Sequence, residues 1–323
     1  MFGKRDNGDD LTLFFATDLH GSNVCFKKFV NAGKFYGAKV LILGGDVTGK
    51  MVVSICSQGD GSYLSSFAGK EMRLEGEDEA ESFERRIADM GFYPRRMTEA
   101  EFEEVRDDPE RQEQLFHELI RERIEEWIEY ARPRLGEQGV KCFAAPGNDD
   151  GFFVDELLAG SGVIELLEGR VVEIDGLEML STGWSNETPW KTERECTEPE
   201  LKERILSMVE KLRDPGASIF NIHVPPHATS LDQCPKLDEE LRPVSSGGNP
   251  VMTSAGSAAV RELIEAYQPV LGLHGHIHEG RGKTKLGRTI CVNPGSVYSE
   301  GLLNGSLIRI KNGEIQDVQL TQG

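Results

Sequence analysis

The run LTLFFATDLHGS, Leu11 to Ser22, decides the fold. Leu11–Thr17 is apolar and of strand length, Asn23–Tyr36 has helical spacing, and Lys39–Leu43 is a second aliphatic run. Strand, helix and strand in this order form a βαβ unit with parallel strands. Each strand runs into polar residues: Asp18-Leu19-His20 after the first, Gly45-Asp46 after the second. Chemistry is thereby placed at the carboxyl ends of parallel strands, where open α/β sheets build their sites.

Further along, Val140–Ala145 is a third strand of this kind, ending in Pro146-Gly147-Asn148-Asp149-Asp150. A second half follows. Val163 to Met179 reads as strands, Glu198–Leu212 as a helix, and Ala217–Ile222 as a strand that delivers His223. Ala258–Tyr267 is a helix, Pro269–Leu273 a strand leading to the His274–His278 cluster, and Thr289–Val292 a strand ending at Asn293-Pro294-Gly295-Ser296. Leu307–Ile310 and Ile315–Leu320, joined across Asn312-Gly313, form a terminal hairpin. The series is interrupted twice. Lys50 to Phe67 suits a hairpin turning at Gly59-Asp60-Gly61, and Glu77–Leu135 is charged and helix-rich, with a capping box at Thr98–Glu101 and an amphipathic helix over Gln112–Ala131. The expectation is one α/β domain over residues 1–323 carrying an acidic helical insertion at 70–138. Such charge density marks a solvated helical face; the competing role is a cap or an arm that binds a protein partner.

A net charge of −19 disfavours nucleic acid and anionic membranes as partners, because both repel an acidic surface. The apolar run Leu11–Ala16 is too brief for a signal sequence or a membrane span. The six cysteines include no C-x-x-C pair, which removes zinc knuckles and redox dithiols and leaves reduced thiols in a cytoplasmic protein as the plain reading.

A lone histidine is more often a hydrogen-bonded core or surface residue than a ligand. Here six of the seven histidines lie within a few residues of a strand's carboxyl end, and carboxylates and an asparagine occupy the equivalent ends of other strands; His117, in the charged segment, is the exception. Asp18 and His20 are two apart, so on an extended stretch both point to one side and can grip one ion; His276 and His278 repeat the spacing. Asp46 follows two glycines that let the backbone approach a ligand, and its carboxylate can bridge two cations. With Asn148 and His223 these residues make a mixed nitrogen and oxygen set, suited to Mn, Fe, Zn or Ni rather than to Ca or Mg.

In this order D-x-H, GD, GN, H and GHxH resemble the calcineurin-like metallophosphoesterase superfamily, in its small bacterial and archaeal branch, from Leu11 to Ser296 apart from the insertion. The resemblance implies a four-layer α/β/β/α sandwich of two mixed sheets flanked by helices. It assigns Asp18, His20 and His278 to one metal, Asn148, His223 and His276 to a second, and Asp46 to the bridge. It implies a phosphodiesterase or phosphatase with a metal-bridging hydroxide as nucleophile, manganese being the ion to supply for activity. One departure touches the proton donor: where most members carry histidine after the GN asparagine, this chain has Asp149. Asp149 is therefore either a general acid with a raised pKa or a residue orienting His20. His227 and His274, beside the ligands, are further catalytic candidates. Protein phosphatases of the superfamily grip phosphate with arginines where this chain has Lys50 and Pro146, which points to a small phosphorylated substrate, with a nucleotide-derived diester preferred. The loop Thr182–Trp190 reads as a structural turn with aromatics or, alternatively, a platform for a flat group. The rival to hydrolysis is a metal-binding interaction scaffold of the same fold.

Overall fold

The two apolar runs of the opening unit lie side by side: Leu13 pairs with Val40 and Phe15 with Ile42 in parallel register. In the computed structural model, which describes residues 11–323, they sit at the centre of a six-stranded sheet. Its order is Glu314–Gln322, Asn304–Lys311, Leu11–Ala16, Val40–Leu43, Lys141–Ala144, Glu165–Leu166. A second six-stranded sheet runs Gly282–Leu286, Thr289–Asn293, Leu271–Leu273, Ile219–Ile222, Leu177–Thr182, Arg170–Ile174. Both are parallel at the centre; the first is antiparallel at one edge and the second at both. Residues 1–10, and any reading of a leader there, fall outside the described part.

Alternation along each strand divides the core. Leu13, Phe15 and Ile42 meet Met179, Leu271 and Val292 between the sheets. Phe14, Ala16 and Leu41 face the helices Asn23–Tyr36 and Pro109–Gln138, while Leu180, Phe220 and Ile222 face Glu198–Val209 and Ala258–Tyr267. Strands covered on both sides must be apolar at every position, which is why their sequences lack polar alternation. The result is an α/β/β/α sandwich. Among the described residues, no helix is long and apolar enough to cross a membrane.

The hairpin expected between Lys50 and Phe67 forms, with Val52–Ser57 antiparallel to Ser62–Phe67. The stretch 70–138 departs from a purely helical reading. Lys70–Glu75 and Tyr93–Thr98 are strands that extend this hairpin to four, packed against the helix Glu77–Asp89. Their exposed faces are charged, so the apolar positions left to mark a strand are few. The following helix runs from Pro109 to Gln138, and its second half belongs to the core: Trp127 stacks on Phe26 with ring centroids 4.2 Å apart. The capping box of Thr98 and Glu101 is present.

Candidate metal centre

The strand ladders continue past their ends and tie the motif loops together. Asp18 donates its N–H to Gly45 O, His20 to Asp46 O, Ala145 to Leu43 O, and Gly275 to His223 O, all at 2.8–2.9 Å. Asp18, His20, Asp46 and His276 adopt φ of 55°, 42°, 48° and 65°. These left-handed conformations are strained for residues with a Cβ. They also correct the geometry expected from spacing: Asp18 and His20 converge through a turn after the strand ends, not by alternation along extended chain. Gly45, at φ 135°, is required where it stands, because a Cβ there would lie 2.1 Å from His223 Nδ1.

The seven expected donors gather in one place. Nε2 of His20 and Nε2 of His278 are 3.0 Å apart, and His278 Nε2 is 3.5 Å from Asp18 Oδ1. Two nitrogens sharing a tetrahedral ion at ~2.05 Å stand about 3.3 Å apart, so this pair is spaced as ligands of one cation are. Asp46 Oδ2 lies 3.6 Å from His20 Nε2 and 3.4 Å from His223 Nε2, placing its carboxylate between the two histidines. His223 Nε2 is also 3.8 Å from Asp18 Oδ1. His276 Nδ1 is 2.7 Å from Asn148 Oδ1. Three groups could each hold a metal: Asp18, His20 and His278; Asp18, Asp46 and His223; His20, Asp46 and Asp149.

Two observations test the fit of a cation. Nε2 of His223, which faces Asp18 and Asp46, is buried without a hydrogen-bond partner, a costly state for a polar atom unless something else occupies it. Burial also pushes His20 down to about 3 and His276 to about 4, keeping both rings neutral with lone pairs free. Burial opposes ionisation of Asp18, but the hydrogen bond from His278 and the charge of His223 outweigh it and hold the carboxyl at about 2. Burial works against His223 as well, yet Asp46 and Asp18 bring it up to about 10. The site is thus a buried, anionic pocket that attracts positive charge.

Several residues that sequence reasoning passed over hold the donors in place. Asp150, fully buried, accepts from the N–H groups of Val47, Thr48 and Gly147 and from Thr48 Oγ1 at 2.6–2.9 Å, clasping two motif loops. Asn293 Nδ2 donates to Gly275 O and Ile277 O, bracing the histidine loop. Asn148 Nδ2 donates to Thr192 Oγ1 at 2.9 Å, and that hydroxyl donates to Glu195 Oε1 at 2.7 Å. Since Thr192 must accept here, the amide of Asn148 is fixed with its oxygen toward His276. In the Thr182–Trp190 loop the Thr188 hydroxyl donates to Glu195, Trp184 is half-buried under Arg204, and Trp190 is exposed. The ring of Tyr298 packs 4.7 Å from that of His20.

Asp149 forms an ion pair with Lys50, and its Oδ2 lies 3.9 Å from His20 Nδ1. Burial and the charge of Asp46 push its carboxyl up to about 6, against the pull of Lys50. His227 and His274 join none of the metal-capable groups among the described residues. His227 is half-buried beside Asp232, and His274 is fully buried with Nδ1 on Ile222 O. His117 packs against Phe153. Arg281 and Lys283, basic residues near the last ligand, bond the carbonyls of Thr321 and Val318 in the terminal strand.

No family model matches the chain. It is 30% identical to an uncharacterized protein of Methanocaldococcus jannaschii over 159 residues, 48% of this chain and 64% of that one, so it spans less than two thirds of this curated relative's length. TT1561 of Thermus thermophilus, known from its crystal structure, shares 15% identity at a TM-score of 0.54, covering 98% of this chain and 99% of that one. Another crystal structure matches at 18% identity and a TM-score of 0.55, covering 97% and 99%. At such identities the likeness is one of fold, and the chain has throughout the sandwich architecture that its motifs, by resemblance to the metallophosphoesterases, imply.

Proposed function

We propose that the chain is a two-metal phosphoesterase hydrolysing a small phosphodiester or phosphomonoester. What supports this reading above all is the convergence of seven nitrogen and oxygen donors on one anionic pocket in which Nε2 of His223 has no hydrogen-bond partner. In this reading Asp18, His20 and His278 hold one divalent ion, Asn148, His223 and His276 the other, and Asp46 both. Bound ions supply Lewis-acid charge for the phosphoryl oxygens and acidify a water at neutral pH. The protein's own groups do the rest. Asp46 and the Asn148 amide keep the donors at fixed spacing, Lys50 presents an ammonium at the mouth of the site, and Asp149, paired with Lys50 and 3.9 Å from His20 Nδ1, stands beside the donors as proton donor or orienting group.

The test is turnover of bis-p-nitrophenyl phosphate and p-nitrophenyl phosphate by the Mn²⁺-loaded protein, with metal content measured on the same sample. Release of p-nitrophenolate from either supports the reading. Absence of turnover with both ions bound overturns it in favour of a metal-binding scaffold. Asp46→Asn separates the same two ideas, since an enzyme loses metal and activity together.

A further inference from the structure

A cleft of about 550 Å³ opens between the start of the strand Val52–Ser57, the end of Tyr93–Thr98 and the helices Glu99–Arg106 and Pro109–Gln138. That volume lies in the range of small-molecule sites. Its walls are Met51, Val52, Met97, Phe102, Val105 and Phe116. Most of these are only half-buried and Met51 is 45% exposed, so apolar surface is left facing the cleft. Lys50 lines it too. The same lysine pairs with Asp149, whose carboxylate stands 3.9 Å from His20 Nδ1, so a single side chain belongs both to the cleft and to the surroundings of the metal centre.

Two of the polar residues of the cleft are already engaged, while Ser54 and Glu113 also line it. Gln112 spends its amide on the carbonyls of Val105 and Arg106, and the Arg106 guanidinium is taken by Glu103 and Asp107. The walls are predominantly apolar, which suits a hydrocarbon chain better than the hydrogen-bonding edge of a nucleobase.

The geometry points to a substrate that is a phosphate amphiphile, its phosphate at the metal centre and its alkyl or acyl chain in this cleft. The inference rests on the phosphoesterase reading above and moves the substrate class away from nucleotide-derived diesters. Lys50 stands where the anionic head meets the chain.

The experiment compares decylphosphonate, below its micellar concentration, with methylphosphonate by calorimetric titration into the Mn²⁺-loaded protein. Wild type binds the decyl compound tighter by about tenfold or more, as burial of apolar chain requires. Met51→Glu puts a charge on an exposed wall position, and Val105→Trp fills the cleft without adding charge. Both variants lose the preference for the long chain and keep wild-type affinity for methylphosphonate, with native circular dichroism. Equal affinities in wild type, or a preference that survives in both folded variants, overturn the inference. A parallel assay on decyl p-nitrophenyl phosphate separates the two readings: long-chain preference in binding without turnover overturns the phosphoesterase reading and supports the cleft.

Discussion

Replacing Thr192 by valine isolates the orientation of one donor, because valine keeps the shape and removes only the hydroxyl. That hydroxyl accepts from Asn148 Nδ2 at 2.9 Å and donates to Glu195 Oε1 at 2.7 Å. After the change Glu195 still holds the Thr192 N–H and the Thr188 hydroxyl, so the loop keeps most of its clasp. Asn148 Nδ2 keeps only Asp149 Oδ1, at 3.2 Å. The amide then loses the partner that fixed its oxygen toward His276, and removal of such outer partners lowers metal affinity by about 10- to 100-fold. Stability should fall by about 1–3 kcal/mol, the cost of a buried polar group losing its bond. The assay is competition for Mn²⁺ against a chelator, alongside urea denaturation. Thr192→Ser restores the hydroxyl and should restore affinity, and Thr188→Val, which touches Glu195 but not Asn148, should leave it unchanged. Wild-type affinity in Thr192→Val, or equal weakening by Thr188→Val, would refute the orientation argument.

Gly45→Ala drives a Cβ into the His223 ring at a φ of 135°; strain of about 1–3 kcal/mol plus displacement of His223 should cost both stability and metal, and a variant with native melting and metal content contradicts this. Asp150→Ala strands three backbone N–H groups beneath the motif loops, so a loss of several kcal/mol is expected at about 1–3 each, read from chemical denaturation; a loss under about 1 kcal/mol means water replaces the carboxylate. Burial pushes the Glu168 carboxyl up from 4.5, despite its bonds from Gly183 and Thr182. A carboxyl raised on folding contributes stability fully below its unfolded pKa and loses it as pH rises through the folded value; stability measured at about pH 4 and about pH 8 should therefore shift in favour of Glu168→Gln, and a constant gap rejects the raised pKa. Four of the six cysteines are buried, with Cys142 and Cys291 pushed up to about 12, so a thiol reagent should label Cys56 and Cys234 ahead of the rest and the others on unfolding. Six equally fast thiols would show that the core opens.

Much of this architecture is legible one element at a time. Leu11–Ala16, Val40–Leu43 and Ile219–Ile222 are apolar at nearly every position because both of their faces are covered, and the helix Ala258–Tyr267 has the bounds its spacing predicts. The strands Lys70–Glu75 and Tyr93–Thr98 escaped notice because one solvated face fills them with charge. The candidate ligands are legible too, since each follows a strand end that can be located from local pattern. What their spacing does not reveal is how they meet: Asp18, His20 and His276 converge through left-handed backbone that a two-residue interval does not specify. Nor does it reveal their supports. Asp150 clasps Val47 and Thr48 across a hundred residues of chain, Thr192 turns the Asn148 amide, and Tyr298 packs on His20 from the far end of the molecule. Periodicity is a property of neighbours along the chain, and it is enough to place the layers and the candidate donors. A hydrogen-bond partner or a cleft wall is a property of neighbours in space, so the orientation of Asn148, the clasp at Asp150 and the apolar cleft lined by Lys50 emerge only once the chain is folded.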